Sequence, residues 1–161
     1  MKTEDSSFIV NFQSSDNMNF PVETLLVNKA IKIAYSHASQ TYNYPVGVTL
    51  RLVDSDEGQS INKQFKKINK PTNVLAFTGD LEKERTLGMS PPFLGDIIVC
   101  LPVVEKEAKV LNIEVSSHFL HMVIHGFLHL LGYDHNTDKE EIEMIQLENL
   151  VLTELGMENG A

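Results

Sequence analysis

The sequence predicts a single α+β domain that has one mixed sheet of about four strands and about five helices. Four short runs have the alternating or continuously apolar pattern of strands, and longer segments with helix signals lie between them. A helical segment between the first two strands indicates a crossover. The 161 residues, 42% of them hydrophobic, can bury one core, and neither a repeat nor a linker divides 1–161.

The first part of the chain is expected to form two strands joined by a helix. Residues 8–13 (FIVNFQ) and 46–53 (VGVTLRLV) alternate and are rich in strand formers. Between them, Pro21 is predicted to open a helix that reaches about Ala38. Its core-facing stripe should consist of Val22, Leu26, Ala30, Ile33 and, at the edge of the core, His37.

The middle of the chain is predicted to hold a short helix over 57–68, capped by Ser55 or Asp56 and ended by Pro71. The inner face of this helix should carry three apolar side chains, those of Ile61, Phe65 and Ile68. The short apolar run NVLAF that follows Pro71 is expected to be a strand over 73–77.

Residues 78–93 are expected to be a loop, because they contain two glycines and two prolines. The apolar run 96–100 then predicts a buried strand, and Pro102 indicates the first turn of a helix that reaches about Leu111.

The last two helices are predicted most clearly. Residues 115–131 are apolar nearly all round, which is typical of a buried central helix, and Gly132 should end it. Thr137 and Glu140 form a capping-box pattern for a final helix that ends at Gly156.

Composition excludes several classes of protein. The net charge of −9 argues against a protein that coats nucleic acid. The first residues lack the pattern of a signal peptide, and no apolar run approaches the ~20 residues of a membrane span. The single cysteine, Cys100, lies in an apolar run and should be a buried thiol, which suits a reducing compartment. We therefore expect a soluble cytoplasmic protein.

The segment 125–135, HGFLHLLGYDH, predicts a metal site. His125 and His129 are four residues apart and therefore share one helix face, and Gly132 can turn the chain back so that His135 supplies a third nitrogen. Three nitrogens leave one position of a tetrahedral zinc open, as in catalytic sites. Imidazole ligands also suit nickel, copper or iron. The spacing matches zinc peptidases, but Gly126 stands where those enzymes carry a catalytic Glu.

Nearby polar residues are candidates for a supporting role. His118 and His121 fall on nearly the same helix face as His125, so they are expected to support the ligands or line the cleft. Asp134 could orient a ligand imidazole or only cap the turn.

The histidine segment, together with KPTNVLAF (70–77) and FLGDIIVC (93–100), closely resembles the YbeY family of bacterial rRNA maturation factors. The resemblance runs from about residue 45 to 155. It implies a zinc-dependent endoribonuclease that is specific for single strands and acts in maturation of the 16S rRNA 3′ end. It also implies cytoplasmic work near the ribosome, with rRNA and ribosomal or ribosome-associated proteins as partners, and neither DNA nor a membrane.

The chain departs from the family pattern in one basic segment. The family has an arginine after an aromatic residue, whereas Lys66 follows Phe65 here, and Asn69 stands where Asp is frequent. Lysine keeps the charge but lacks the planar fork of arginine. We expect Lys66 and the ligand His125 to be the catalytic residues. The other lysines of the run are expected to contact backbone phosphates: Lys63, Lys67 and Lys70.

Two other functions stay open at this point. The ligand spacing favours a metallopeptidase, although the loss of a general base typically costs about 10²–10⁴-fold in rate. The lysine at position 66 and the negative net charge favour a ribosome-assembly factor in which zinc is mainly structural. For RNA cleavage, either a water activated by the ion or the 2′-hydroxyl of RNA could be the nucleophile, and the sequence does not choose between them.

Overall fold

The computed structural model describes residues 8–16 and 18–157, and it confirms the α+β fold with one sheet. The four strands are β1 (Phe8–Ser14), β2 (Val46–Val53), β3 (Val74–Thr78) and β4 (Phe93–Cys100). The helices are α1 (Thr24–His37), α2 (Ser55–Lys66), α3 (Leu81–Thr86), α4 (Leu101–Leu111), α5 (Val115–Leu130) and α6 (Asp138–Leu155).

The sheet is mixed, as predicted, and its strand order is β1-β2-β4-β3. Strand β1 is parallel to β2, and β2 is parallel to β4, whereas β3 is antiparallel to β4. Helix α1 connects β1 to β2 and is the expected crossover, because two parallel neighbours need a connection that returns along the sheet.

Helix α5 is the buried central helix that the sequence predicted. It packs on β3 and β4 and also contacts α1, α4 and α6. Its fully buried side chains include Phe119, Leu120, Ile124, Phe127 and Leu128. A helix surrounded in this way must be apolar on most sides, so the histidines that it carries are exceptions which need partners.

Helix α6 also agrees with its prediction. The Thr137 side chain accepts from the Glu140 backbone N–H, and the Glu140 side chain accepts from the Thr137 N–H, which completes the capping box. Gly156 ends the helix with a φ of +75°, a conformation that glycine adopts without strain. Within the described ranges, no helix is both long and apolar enough to cross a bilayer.

The predicted core stripe of α1 was right in part, because Ala30 is fully buried and Val22, Leu26 and Ile33 are partly buried against the core. The buried residues of this helix are Val27, Ala30, Ile31 and Ala34. The helix begins at Thr24 rather than at Pro21, so Val22 precedes it, and the buried stripe is centred about one residue later. His37 is exposed and does not lie at the core edge. Its Nε2 lies 2.6 Å from Glu154 Oε2 of α6.

Helix α2 differs from its prediction at both ends and on its inner face. Its N-cap is Asp54, which accepts from the Glu57 N–H, and its C-cap is Lys67, which has a left-handed φ of 63° and precedes Pro71. The buried residues are Gly58 and Asn62. The side chains of Phe65 and Ile68 are instead exposed, at 58% and 46%.

Residues 78–93 are not all loop, and the described part of the chain therefore has six helices where about five were predicted. Asp80 caps the six-residue helix α3 by accepting from the Lys83 N–H. Strand β4 begins at Phe93, three residues before the predicted start, because Phe93 and Gly95 already pair with β2 and Gly95 also pairs with β3. The Cys100 thiol is buried as predicted, and burial raises its pKa.

Candidate metal centre

Three histidine side chains meet at the carboxyl end of α5. His125 and His129 are one turn apart, and their Nε2 atoms are 3.1 Å apart. His135 lies in the segment after the helix, and ligand atoms of all three residues lie within 4.8 Å of one another. Zinc–nitrogen bonds of about 2.0–2.1 Å would set two ligands of a tetrahedral ion roughly 3.3 Å apart. The group therefore fits one metal ion that keeps a position open.

A turn after α5 brings His135 to the other two histidines. Gly132 has a φ of +100°, which favours glycine, and its N–H donates to the His129 carbonyl at 3.0 Å. The next residue, Tyr133, is anchored to the end of α1, because its hydroxyl accepts from the Ser39 backbone N–H at 3.0 Å. The turn is thus held by a hydrogen bond to the end of α5 and by another to Ser39, which follows α1.

Asp134 stabilises this turn by hydrogen bonds within it. Its Oδ1 accepts from the His135 backbone N–H at 2.8 Å, and its Oδ2 accepts from the Asn136 amide at 2.8 Å. Of the two roles predicted for Asp134, these contacts are those of a turn cap, and neither oxygen bonds a ligand ring.

A buried carboxylate on α6 holds the first histidine. Glu148 is 4% exposed, and its Oε2 accepts from His125 Nδ1 at 2.5 Å while its Oε1 accepts from His121 Nε2 at 2.8 Å. Burial favours the protonated acid, but the two histidine hydrogen bonds outweigh burial and lower the pKa of Glu148 from 4.5 to about 2. His121 is therefore joined to His125 through this carboxylate.

Sequence reasoning missed Glu148, although a signal for it exists. The residue falls on the apolar stripe of α6, with Met144 four residues before it and Leu152 four residues after it, and both of those are buried. A charged residue at such a position needs a partner inside the protein. The acidic run 138–148 concealed it, because most acids there are exposed.

The surroundings of His129 favour its neutral form. Burial lowers the pKa of His129, and the nearby His125 and His135 lower it further, against a smaller opposing effect of Asp134. A neutral imidazole is the form that can bind a metal ion, so this environment favours the metal-binding form of His129.

His118 lies outside the three-histidine group. It is 5% exposed near the opposite end of α5, and its Nε2 lies 2.8 Å from Glu107 Oε1 on α4. Glu107 also accepts from the Asn73 amide at 3.1 Å. This pair links α4 to α5.

A cavity of about 270 Å³ opens beside the histidines. Its walls come from the metal group and from α6, and they are formed by His125, His135, Glu141, Met144, Ile145 and Glu148. Two of these side chains are carboxylates, so a negatively charged ligand would be repelled unless a cation offset their charge.

The basic segment lies on the other side of the sheet. Lys66 Nζ is 5.5 Å from the ring centre of Phe77, which also contacts Phe65 at 5.3 Å between ring centres. Val74 of β3 points towards Gly126 of α5. Side chains alternate along a strand, so Phe77, three residues after Val74, points to the opposite face of the sheet. Lys63, Lys66, Lys67 and Lys70 are all exposed.

Comparisons with known proteins identify close relatives. The profile of the family Endoribonuclease YbeY matches residues 9–156. An Endoribonuclease YbeY of Psychromonas ingrahamii is 44% identical over 128 residues, which are 80% of this chain and 78% of that protein. The one of Francisella tularensis subsp. holarctica is 40% identical over 152 residues, which are 93% and 90% of the two chains.

The fold comparison agrees with these sequence matches. The solution structure of TM1509 from Thermotoga maritima superposes with a TM-score of 0.58, at 27% identity, and 91% of each chain is covered.

Proposed function

The chain belongs to the YbeY endoribonuclease family, and from this membership and the histidine geometry we propose a zinc-dependent endoribonuclease that cuts single-stranded RNA. Its proposed substrate is ribosomal RNA, at the 3′ end of the 16S molecule, in the cytoplasm. The observation that carries the proposal is the three-histidine group, whose ligand atoms lie within 4.8 Å of one another beside an open cavity.

In this proposal His125, His129 and His135 hold one zinc ion, and His125 takes part in catalysis as a ligand. When bound, the ion would supply Lewis-acid activation of a water or of a phosphoryl oxygen. The protein contributes the fixed position of the three nitrogens, because two come from one helix and the third comes from a turn anchored on Tyr133.

The cavity would admit the scissile phosphate only with the ion in place. Glu141 and Glu148 line it, and both repel phosphate when they are ionised. Substrate binding at this site should therefore depend on the metal, because the ion offsets the negative charge of the cavity walls.

The four lysines of 63–70 would bind phosphates elsewhere along the RNA. Their side chains are exposed, and Lys66 lies over Phe77 on the sheet face opposite to α5. The contact of Lys66 is with the ring of Phe77. Within the described part of the chain, no hydrogen bond or ion pair joins Lys66 to the three histidines. We therefore propose that Lys66 holds a phosphate next to the cleaved bond, so that the RNA passes the edge strand β3.

The acidic net charge of −9 should make binding to free RNA weak. We propose that the ribosome, or a protein associated with it, places the chain on the RNA. The alternative of a ribosome-assembly factor with a structural metal shares the partner but predicts no cleavage.

One experiment separates the three functions. Protein prepared without metal, and the same protein loaded with zinc, are incubated with a single-stranded rRNA fragment and separately with casein. Zinc-dependent cleavage of the RNA supports the proposal, cleavage of casein supports the peptidase, and no cleavage of either supports the assembly factor.

A further inference from the structure

Glu148 connects the metal group to a helix that supplies no ligand. We infer that Glu148 is a positioning residue, which fixes the ring of His125 for metal binding while His121 fixes the carboxylate. The inference rests on the proposed zinc site. Its structural basis is a pair of hydrogen bonds to one buried carboxylate. His125 Nδ1 lies 2.5 Å from Glu148 Oε2, and His121 Nε2 lies 2.8 Å from Glu148 Oε1.

The carboxylate selects one tautomer of His125. A carboxylate only accepts hydrogen bonds, and each oxygen of Glu148 lies within hydrogen-bond distance of a histidine nitrogen. A neutral His125 must then carry its proton on Nδ1, which leaves the lone pair on Nε2. That atom is the one that lies 3.1 Å from Nε2 of His129, so the free lone pair points into the metal group.

Both oxygens of Glu148 are occupied, and this explains why it supports a ligand and is not one itself. Glu148 is 4% exposed, and rotation of its side chain towards the ion would leave the partly buried His121 Nε2 without its acceptor. His121 is 17% exposed in its side chain and has no hydrogen-bond partner for its Nδ1 in the described structure. Holding Glu148 is thus its one polar contact.

The chain contains a matched control for this device. The Glu107–His118 pair also joins a carboxylate to a histidine of α5 at 2.8 Å, but it lies towards the other end of the helix. Replacement of Glu107 should cost fold stability without changing metal binding.

The test is the zinc affinity of the full chain without RNA, measured by competition with a chromophoric chelator. We expect Glu148→Gln to weaken zinc binding by about 10–100-fold, the usual effect of losing such a support. Glu107→Gln should bind zinc as the native chain does. Equal affinity of Glu148→Gln and native protein would overturn the inference, whereas a native chain that binds no zinc would overturn the proposed site as well.

A second measurement holds even if Glu148→Gln fails to fold. In the metal-free native protein, ¹⁵N NMR shifts of the imidazole should show His125 protonated on Nδ1 and not on Nε2. The opposite tautomer at neutral pH would overturn the inference.

Discussion

Gly126 of α5 lies so close to Ile97 of β4 that a Cβ added to the glycine would come within 2.8 Å of Ile97 Cγ2. The same Cβ would lie 3.3 Å from Val74 Cγ2 on β3. The position at which zinc peptidases carry their general base therefore faces the sheet in this protein, and the glycine is explained by close packing of helix on strand.

Gly126→Glu should destabilise the fold and should not create a peptidase. The new side chain would enter the α5–sheet interface, where overpacking typically costs about 1–3 kcal/mol and an unpaired carboxylate costs more. Thermal unfolding should show a lower Tm, and a casein assay should show no cleavage. A variant with native Tm that cleaves casein would contradict this account.

Gly126→Ala isolates the contribution of the Cβ. Helix propensity favours alanine by about 1 kcal/mol, which offsets part of the overpacking. We therefore expect a small loss of Tm, clearly less than for Gly126→Glu. An alanine variant more stable than native protein would show that Ile97 can move aside at little cost.

Lys66→Ala should lower RNA cleavage without changing the zinc content. Lys66 is exposed and its ammonium lies over Phe77, so it can contact a phosphate but no metal ligand. The loss of one charge-assisted contact of ~1.5 kcal/mol corresponds to roughly 10-fold in kcat/KM. Because the contact is proposed at the phosphate next to the cleaved bond and not at the cleaved bond itself, the change should fall mainly on KM.

Two further lysine variants serve as controls. Lys66→Arg should retain activity or exceed it, because the guanidinium fork can hold two phosphate oxygens. Lys63→Ala should cost less and mainly flatten the salt dependence of RNA binding. Native cleavage rates and KM in Lys66→Ala would remove Lys66 from the site.

Acid should destabilise the metal-free protein in two pH ranges. The pKa of His129 is lowered from 6.5 by burial and its histidine neighbours, so as pH falls the unfolded state takes up this proton first. The contribution of His129 to the free energy of unfolding is therefore present above pH 6.5 and is lost as the pH falls through the pKa that His129 has in the folded protein. The pKa of Glu148 falls from 4.5 to about 2, so its contribution is present above 4.5 and is lost towards 2.

Protons also compete with zinc for the ligands, so zinc should leave in the higher of these ranges. Tm by circular dichroism and free zinc by a colorimetric chelator can be followed together from neutral pH downwards. In Glu148→Gln the loss of stability between 4.5 and 2 should disappear. Zinc that stays bound well below the histidine range would contradict ligation by histidine.

Local signals in the sequence predicted much of the fold and the proposed ligands. The capping box of Thr137 and Glu140 and the glycine at 156 both act within one turn, and the structure confirms them. The three histidines are likewise brought together by one helix and the turn that follows it, so their spacing in the sequence was enough to predict the group. Such features depend on neighbours in sequence, which is why one chain suffices to find them.

Features that depend on distant contacts were missed. Phe65 has an apolar side chain at a helical position, but it contacts the ring of Phe77 on β3 and is still 58% exposed. Glu148 is 23 residues from His125 and gains its meaning only when α6 packs on α5. Neither contact follows from the propensity of a segment.

Cleavage of a single-stranded rRNA fragment by metal-free and zinc-loaded protein tests the central claim most directly, with His129→Ala as the paired variant. The native chain should bind about one zinc per chain and cut the RNA only when loaded, because three histidines form its site. His129→Ala should keep its secondary structure, lose zinc and fall to background cleavage. Full cleavage by chelator-treated native protein, or by zinc-free His129→Ala, would contradict a metal-dependent endoribonuclease.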